Sequence, residues 1–482
     1  QAWLYRCRLT IPEIPYRRAR LLFEGIDYFA SIWLNDVYVG QHEGGFVPFT
    51  LDITKYLRPD AENLLLVRVT SPWDAPNPRG TYPTDHVVRG LVKGLYEHGD
   101  GVIPPDVNPI GIWRPVRLLL DDGISIDHVR IRTALDGRVA LRLILTNATG
   151  MNWQGMLRLR ISPDNHNHGG SGVTSQQAVS LVAGTHTLAY TLNIAEPHWW
   201  WPWDQGDPFL YRLDATLEGC DGRVLGAHAV RFGIRSVRLE RSAKRFVYLI
   251  NDRPVFIRGT SYIPALYLSQ CNRQSLRQDI AFARDANLNL FRDHVQVSLP
   301  EFYDLCDETG MMVWQDFELN WMQDASVAFE KRAQALQREM IDLLGNHPAI
   351  ITWACHNEPT MVFTRRHNLE QRPDPLLYAD AVRQDPTRPV FICSGQLEDD
   401  WRRAGDVHSY YGALWTSDYT DIYRHRFRLN SEFGFEAPAA LKTLQSHADA
   451  WQRLQHLTGE IDNLWAYQAE LIRFQVEHLR RL

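Results

Sequence analysis

No apolar run in the sequence is long enough to carry a helix across a bilayer, which excludes a helical membrane span. Blocks of Lys or Arg are also missing, and a formal charge of −6 argues against a nucleic-acid binder. Cysteine is sparse: Cys7, Cys220, Cys271, Cys306, Cys355 and Cys393 are scattered without any paired spacing. That pattern suits reduced thiols in apolar surroundings and favours the cytoplasm. Gln1-Ala2-Trp3-Leu4-Tyr5-Arg6 holds neither an initiator Met nor a signal-peptide core, which leaves a removed leader open.

With 482 residues the chain exceeds one compact core, and about 150 residues per domain suggests about three domains. Hydrophobic residues at 45% and charged residues at 22% are those of a soluble globular protein. Tryptophan is plentiful, at 16, with 19 Tyr. Aromatic faces stack on the apolar faces of sugar rings, although most Trp in any protein simply pack.

Residues 1–122 read as all-β. Short alternating segments, among them Arg20–Glu24, Ser31–Leu34, Val37–Gly40 and Asn63–Val69, are separated by Asn-Asp and Gly-Gly turn signals. The stretch Ser71–Asn108 has no periodicity and is too long for a plain connection, so it reads as a functional or partner-facing loop. Residues 123–240 form a second all-β block, with Val129–Arg132, Val139–Leu143 and Met156–Arg160 alternating at sandwich-like spacing. Its most polar tip carries His166 and His168. No third ligand accompanies them at suitable spacing, so neither a metal nor a cofactor is expected.

Past residue 240 the period changes. Strands are predicted at Val255–Arg258, Leu288–Arg292, Met311–Asp316, Ala349–Trp353, Val390–Cys393, Asp406–His408 and Phe427–Asn430. Helices are predicted at Arg273–Asp285, Pro300–Thr309, Ser326–Leu344 and Trp465–Leu482. Alternation of this kind over residues 241–482 calls for a parallel α/β (TIM) barrel with its functional residues at the strand C-terminal ends. Glu358 then follows strand four and Glu432 follows strand seven. Paired carboxylates in that position suit glycosidic bond cleavage, one protonating the leaving oxygen and the other attacking the anomeric carbon or activating water. Either Glu alone reads equally well as an ordinary loop-entry acid.

The chain resembles glycoside hydrolase family 2 over nearly its whole length. Gly44-Gly45-Phe46-Val47-Pro48-Phe49 and Gly111-Ile112-Trp113-Arg114-Pro115-Val116 are similar to that family's sugar-binding jelly roll. Trp199-Trp200-Trp201-Pro202-Trp203 and Arg231-Phe232-Gly233-Ile234-Arg235 resemble its immunoglobulin-like β-sandwich. Asn251–Gly259 looks like the start of its barrel, and Asn357-Glu358-Pro359 and Ser431-Glu432-Phe433-Gly434 resemble its acid/base and nucleophile motifs.

The resemblance implies a retaining exo-β-glycosidase, with Glu358 as acid/base, Glu432 as nucleophile and their carboxyl groups about 5–5.5 Å apart. It further implies that Asn357 binds the sugar 2-hydroxyl and that Arg292 holds the nucleophile ionised. His408 and Tyr410 would contact the nucleophile or the substrate, and His294, Trp314 and Asp316 would line a subsite. Read from the residues alone, Trp314 is equally barrel core, and His294 and His408 are equally structural histidines. His356, next to the acid, either tunes it or fills the strand end.

Val313–Phe317 and Ser431–Phe435 look more like the β-mannosidase branch than the β-galactosidase branch, whereas Asn-Glu-Pro is similar to β-glucuronidases. Competing readings are a carbohydrate-binding homologue that has lost turnover, and an endo-acting mannanase-like barrel, which the two preceding sandwiches disfavour. The partner is therefore a carbohydrate, with neither nucleic acid nor membrane, and homo-oligomerisation is left open. Against the family pattern, the first jelly-roll strands and the eighth barrel strand are not found. The natural gene product is expected to continue past Leu482, unless helix 465–482 or a neighbouring subunit covers the gap.

Overall fold

A computed structural model describes the chain apart from residues 1, 13, 60, 80–86, 94–109, 166–169, 243–244, 264–270, 360–370, 396–399, 413–415, 435–436, 447–450, 453–454, 458 and 482. His166 and His168 thus lie outside the described residues. Two compact units make up the chain: Gln1–Glu240 with Val247–Ile392, and Arg241–Phe246 with Cys393–Leu482.

The first unit begins with two antiparallel sheets, Ala2–Leu9/Asn63–Thr70/Phe29–Leu34/Val37–Glu43 and Val116–Asp121/Arg18–Phe23/Phe49–Asp52. Period-2 alternation buries Ala30, Ile32 and Leu34 against Leu21, Phe23, Val67 and Val69. The predicted Asn-Asp turn is a two-residue hairpin in which Asn35 (φ 51°) and Asp36 (φ 67°) both adopt positive φ. The next sandwich packs Ile124–Thr133/Arg138–Asn147/Gly184–Asn193 on Val173–Leu181/Trp153–Pro163/Tyr211–Gly219/Val224–Phe232. Its core holds Leu141, Leu143, Leu157, Leu159, Leu213 and Leu217.

A parallel five-stranded sheet follows in the same unit: β1 Gly259–Tyr262, β2 Leu290–Asp293, β3 Met312–Asp316, β4 Ile350–Ala354 and β5 Val390–Phe391. Between these strands run α1 Arg273–Asp285, α2 Pro300–Thr309, α3 Val327–Leu344 and α4 Asp374–Gln384. Local chemistry sets the helix ends: Asn272 forms a capping box on α1, Gly310 (φ 72°) ends α2, and the Ser326 side chain caps α3. β3 and β4 are buried along their whole length, as strands covered on both faces should be.

The first barrel strand corrects the sequence reading. Val255 instead closes an antiparallel hairpin, opposite Tyr248, over the positive-φ turn Asn251-Asp252. β1 starts four residues later, at Gly259, where a Cβ would come within 2.8 Å of the Leu290 side chain. The apolar Val255–Ile257 run belongs to the approach, with Phe256 59% exposed.

The Trp-rich motif and the Arg-Phe-Gly-Ile-Arg motif dock the second sandwich on this sheet. Trp200 Nε1 donates to the Asp307 carbonyl (2.9 Å) and Trp203 Nε1 to that of Leu288 (3.0 Å). Arg235 reaches the carbonyls of Pro348 (2.7 Å) and Ile350 (2.8 Å). These tryptophans are therefore joints between domains, which weakens composition as a hint of carbohydrate.

In the second unit, β6 Asp406–Ser409 and β7 Leu429–Phe433 pair in parallel, followed by α5 Leu441–Ser446 and α6 Ile461–Arg481. Here β7 is displaced from the predicted Phe427–Asn430, so Glu432 lies inside the strand opposite His408 and does not follow it. A bulge between Val407 and His408 makes that register. α6 braces the chain just past β6, Tyr467 donating to the Gly412 carbonyl (3.1 Å) and Gln475 to that of Tyr411 (3.0 Å).

Candidate active site

Glu358 lies four residues past β4, 9% exposed, with a backbone φ of 41°. Left-handed backbone at a residue with a Cβ is uncommon, and it persists only where neighbours hold it. Here the neighbour is the chain leaving β3, which stays zipped to the chain leaving β4. Phe317 N–H donates to the Ala354 carbonyl (2.7 Å), Asn357 N–H to Leu319 (2.8 Å) and Trp321 N–H to Asn357 (3.0 Å). Trp321 Nε1 then donates to Glu358 Oε2 at 2.9 Å. His356 is buried, with Nδ1 2.7 Å from Asp374 and Nε2 2.9 Å from the Trp321 carbonyl. It ties the start of α4 to the Trp321 segment.

Asp316, at the end of β3, is the hub of the remaining residues. It is wholly buried; Trp314 Nε1 donates to Oδ1 (2.8 Å), while Arg292 Nη2 (2.8 Å) and His294 Nδ1 (3.6 Å) approach Oδ2. Burial alone would raise this carboxyl, but Arg292 with His294 outweighs it and holds Asp316 below the usual carboxylate range. Arg292 also donates to Asn357 Oδ1 (2.5 Å), whose Nδ2 donates to Asn320 (2.8 Å). The Trp314 ring packs on Phe391 at 4.5 Å between centroids and is 2% exposed, so its place is the sheet core.

Removing one member of a buried ion pair strands the other, so Arg292→Met should cost about 3–5 kcal/mol in urea unfolding. The linked pH effect has a definite sign. Asp316 is depressed in the fold, so its contribution is complete above the unfolded value of 3.8 and is lost as pH falls through the folded one. Asp316→Asn should flatten the acid limb of stability measured between roughly pH 5 and pH 2. An unchanged slope in that variant would discard Asp316 as the hub.

The second unit carries its own chain of hydrogen bonds. Tyr410 OH donates to Glu432 Oε2 (2.5 Å), and His408 Nδ1 lies 3.4 Å from the same oxygen. His408 is fully buried, with Nε2 3.0 Å from Ser431 Oγ, which donates to Asp406 Oδ2 (2.6 Å). Asp406 also accepts from the Ser431 and Gly395 backbone (3.0 and 3.2 Å). A phenol and an imidazole gripping one carboxylate oxygen fix the plane of that carboxylate. Trp321, Asp406 and Ser431 were not among the candidate site residues read from the sequence. Ser431 sat inside the quoted Ser-Glu-Phe-Gly run and Asp406 opened the predicted strand Asp406–His408, but nothing local marked either role, and Trp321 offered no local signal.

Residues 87–89 of the long jelly-roll loop reach the Trp321 segment. Val87–Val88 pairs with Ala75–Pro76, and Arg89 then bridges Gln323, its N–H donating to the Met322 carbonyl (3.0 Å). The Arg89 guanidinium lies 5.0 Å over the Trp321 ring.

Three family models tile this chain. Residues 1–114 match the glycosyl hydrolase 2 galactose-binding domain-like model, 124–235 the glycosyl hydrolases family 2 model, and 243–481 that family's TIM barrel domain. The chain belongs to glycoside hydrolase family 2. Its fold is accordingly that family's jelly-roll-like sandwich, immunoglobulin-like sandwich and TIM-barrel domain. Among family 2 relatives, β-mannosidase B of Thermothelomyces thermophilus is 24% identical, over 92% of this chain and 56% of its own length. That of Aspergillus terreus is 25% identical, over 100% and 61%. A β-D-mannosidase structure from Dictyoglomus thermophilum superposes with a TM-score of 0.78 at 25% identity, covering 92% of this chain and 57% of that one. A Bacteroides uniformis β-glucuronidase gives 0.72 at 18%, covering 94% and 57%. The chain spans roughly three-fifths of the length of these relatives.

Proposed function

We propose that the protein is a retaining exo-β-glycosidase acting on terminal β-linked sugars, with β-mannosides preferred. The observation that carries this reading is that two glutamates, Glu358 just past β4 and Glu432 inside β7, each have their carboxylate held by an aromatic donor: Glu358 by Trp321 and Glu432 by Tyr410. Support for the sugar comes from the β-mannosidase relatives at about a quarter identity.

In this mechanism the Glu432 carboxylate attacks the anomeric carbon while Glu358 delivers its proton to the glycosidic oxygen, and the C–O bond to the leaving group breaks. A glycosyl ester on Glu432 results. Glu358, now a carboxylate, takes a proton from water, which attacks the same carbon and releases Glu432. Two inversions give net retention. The grip of Tyr410 and His408 on Oε2 aims the nucleophile, and Trp321 aims the acid. Arg292, fixed by Asp316, holds the Asn357 amide in place for a sugar hydroxyl.

The test is a panel of aryl β-glycosides assayed on the full gene product. kcat/KM for the β-mannoside should exceed that for the β-galactoside and the β-glucuronide by about tenfold to a hundredfold, the range that one or two sugar hydroxyl contacts supply. A preference for either of the other two sugars would replace the mannoside assignment. Absence of turnover across the panel would favour the carbohydrate-binding reading.

A further inference from the structure

In a chain whose formal charge is −6, one cavity of about 530 Å³ concentrates positive charge. It lies in the first unit, between the sheet Ile124–Thr133/Arg138–Asn147/Gly184–Asn193 and helices α3 and α4. Arg130, Arg132 and Arg142 line it from the sheet, and Arg338 and Arg383 from the helices. Among the lining residues only Asp342 and Asp380 add negative charge; counting Asp385, which pairs with Arg130 from outside the lining, five guanidinium groups face three carboxylates, an excess of two.

Strand register explains the crowding. Arg130 stands directly opposite Arg142 across the ladder, and Arg132 projects from the same face two residues on. Like charges directly opposite destabilise a sheet. Neither Arg132 nor Arg142 has an ion pair among the described residues. Asp380 already serves both Arg338 and Arg383. Arg130, 7% exposed, is taken from beneath by Asp385 (3.2 Å) and the Ile341 carbonyl (2.5 Å). Arg132 donates to the Gln384 carbonyl (2.9 Å). Arg142 makes no hydrogen bond or ion pair among the described residues. Space for a ligand comes from two methyl side chains, Ala189 opposite Arg142 and Ala140 opposite Arg132.

We propose that this cavity is an anion-binding site for a phosphate-class dianion, either free phosphate or the phosphate of a sugar ester. Guanidinium forks match the spacing of phosphate oxygens and hold two at a time, which ammonium groups cannot do. A bound dianion would tie the second sandwich to α3 and α4.

Calorimetric titration of the full gene product with inorganic phosphate, at constant ionic strength in chloride, tests the site. The comparison is the double variant Arg132→Gln/Arg142→Gln, which removes two charges outside any ion pair and keeps the side chains long. One phosphate should bind per chain, weakened at least about tenfold in the double variant, whose Tm in chloride should match the parent. Asp342→Asn, which removes a repelling carboxylate, should tighten binding, and it decides the matter if the double variant does not fold. Equal affinity in parent and double variant, no heat up to about 10 mM phosphate, or no tightening in Asp342→Asn would each overturn the site. A hexose 6-phosphate binding about tenfold tighter than inorganic phosphate would identify the ester as the ligand, and equal affinity would identify free phosphate.

Discussion

Glu432→Ala should lower kcat on every aryl β-glycoside by about 10⁵-fold or more, equivalent to about 7 kcal/mol of transition-state stabilisation. The size follows from the role, because without the carboxylate no glycosyl ester forms and the two-step path is closed. Adding azide to this variant should let the anion attack from the vacated side and release a glycosyl azide of inverted configuration. Tyr410 and His408 both approach Glu432 Oε2, so folding of the variant must be checked by its unfolding midpoint. Residual turnover within tenfold of the parent in a folded variant would remove Glu432 from the nucleophile's place.

Glu358→Ala should behave differently, and the difference separates the roles. General acid catalysis is worth about 10²–10⁴-fold, and its loss is felt according to how badly the leaving group needs a proton. Poor leaving groups such as a sugar alcohol should therefore lose the full factor. Dinitrophenyl glycosides should still glycosylate Glu432 but turn over slowly, because water lacks its base in the second step. Azide needs no base, so it should restore turnover and give the retained glycosyl azide. Trp321→Phe, which removes the donor to Glu358 Oε2, should fall between parent and Glu358→Ala on the poor leaving groups. Equal losses across leaving groups, with no rescue by azide, would mean that Glu358 is not the acid.

What the sequence made legible follows from which contacts are local. β3 and β4 were readable because Met312–Asp316 and Ile350–Ala354 are buried on both faces, and their apolar residues Met312-Val313-Trp314 and Ile350-Ile351 carry that in sequence. The predicted starts of α1, α2 and α3 lie at or beside Asn272, Pro300 and Ser326, the residues that begin these helices in the structure. β1 was misplaced because its residues, Gly259-Thr260-Ser261-Tyr262, are mostly polar and the apolar residues precede them. β7 was misplaced for a related reason. Its middle residues, Asn430, Ser431 and Glu432, serve hydrogen bonds and carry no hydrophobic signal.

In the candidate site, the two glutamates stood out by context, but their supports did not. Trp321 meets Glu358 across 37 residues, and Ser431 meets Asp406 across 25. Such pairings belong to tertiary structure and leave no spacing to read. Asp316 is the clearest case of a changed role. It was a candidate subsite residue, and it is wholly buried as the counter-charge of Arg292.

The most direct measurement of the central claim is to trap the covalent intermediate. A 2-deoxy-2-fluoro-β-mannosyl fluoride carries a good leaving group, and its fluorine at C2 disfavours the positively charged transition states of both steps, so the glycosyl-enzyme should accumulate. After incubation with the full gene product, intact mass and peptide mapping should show one added 2-fluoromannosyl group, attached to Glu432. An active enzyme that yields no adduct, or one that carries the sugar on any other residue, would contradict the account.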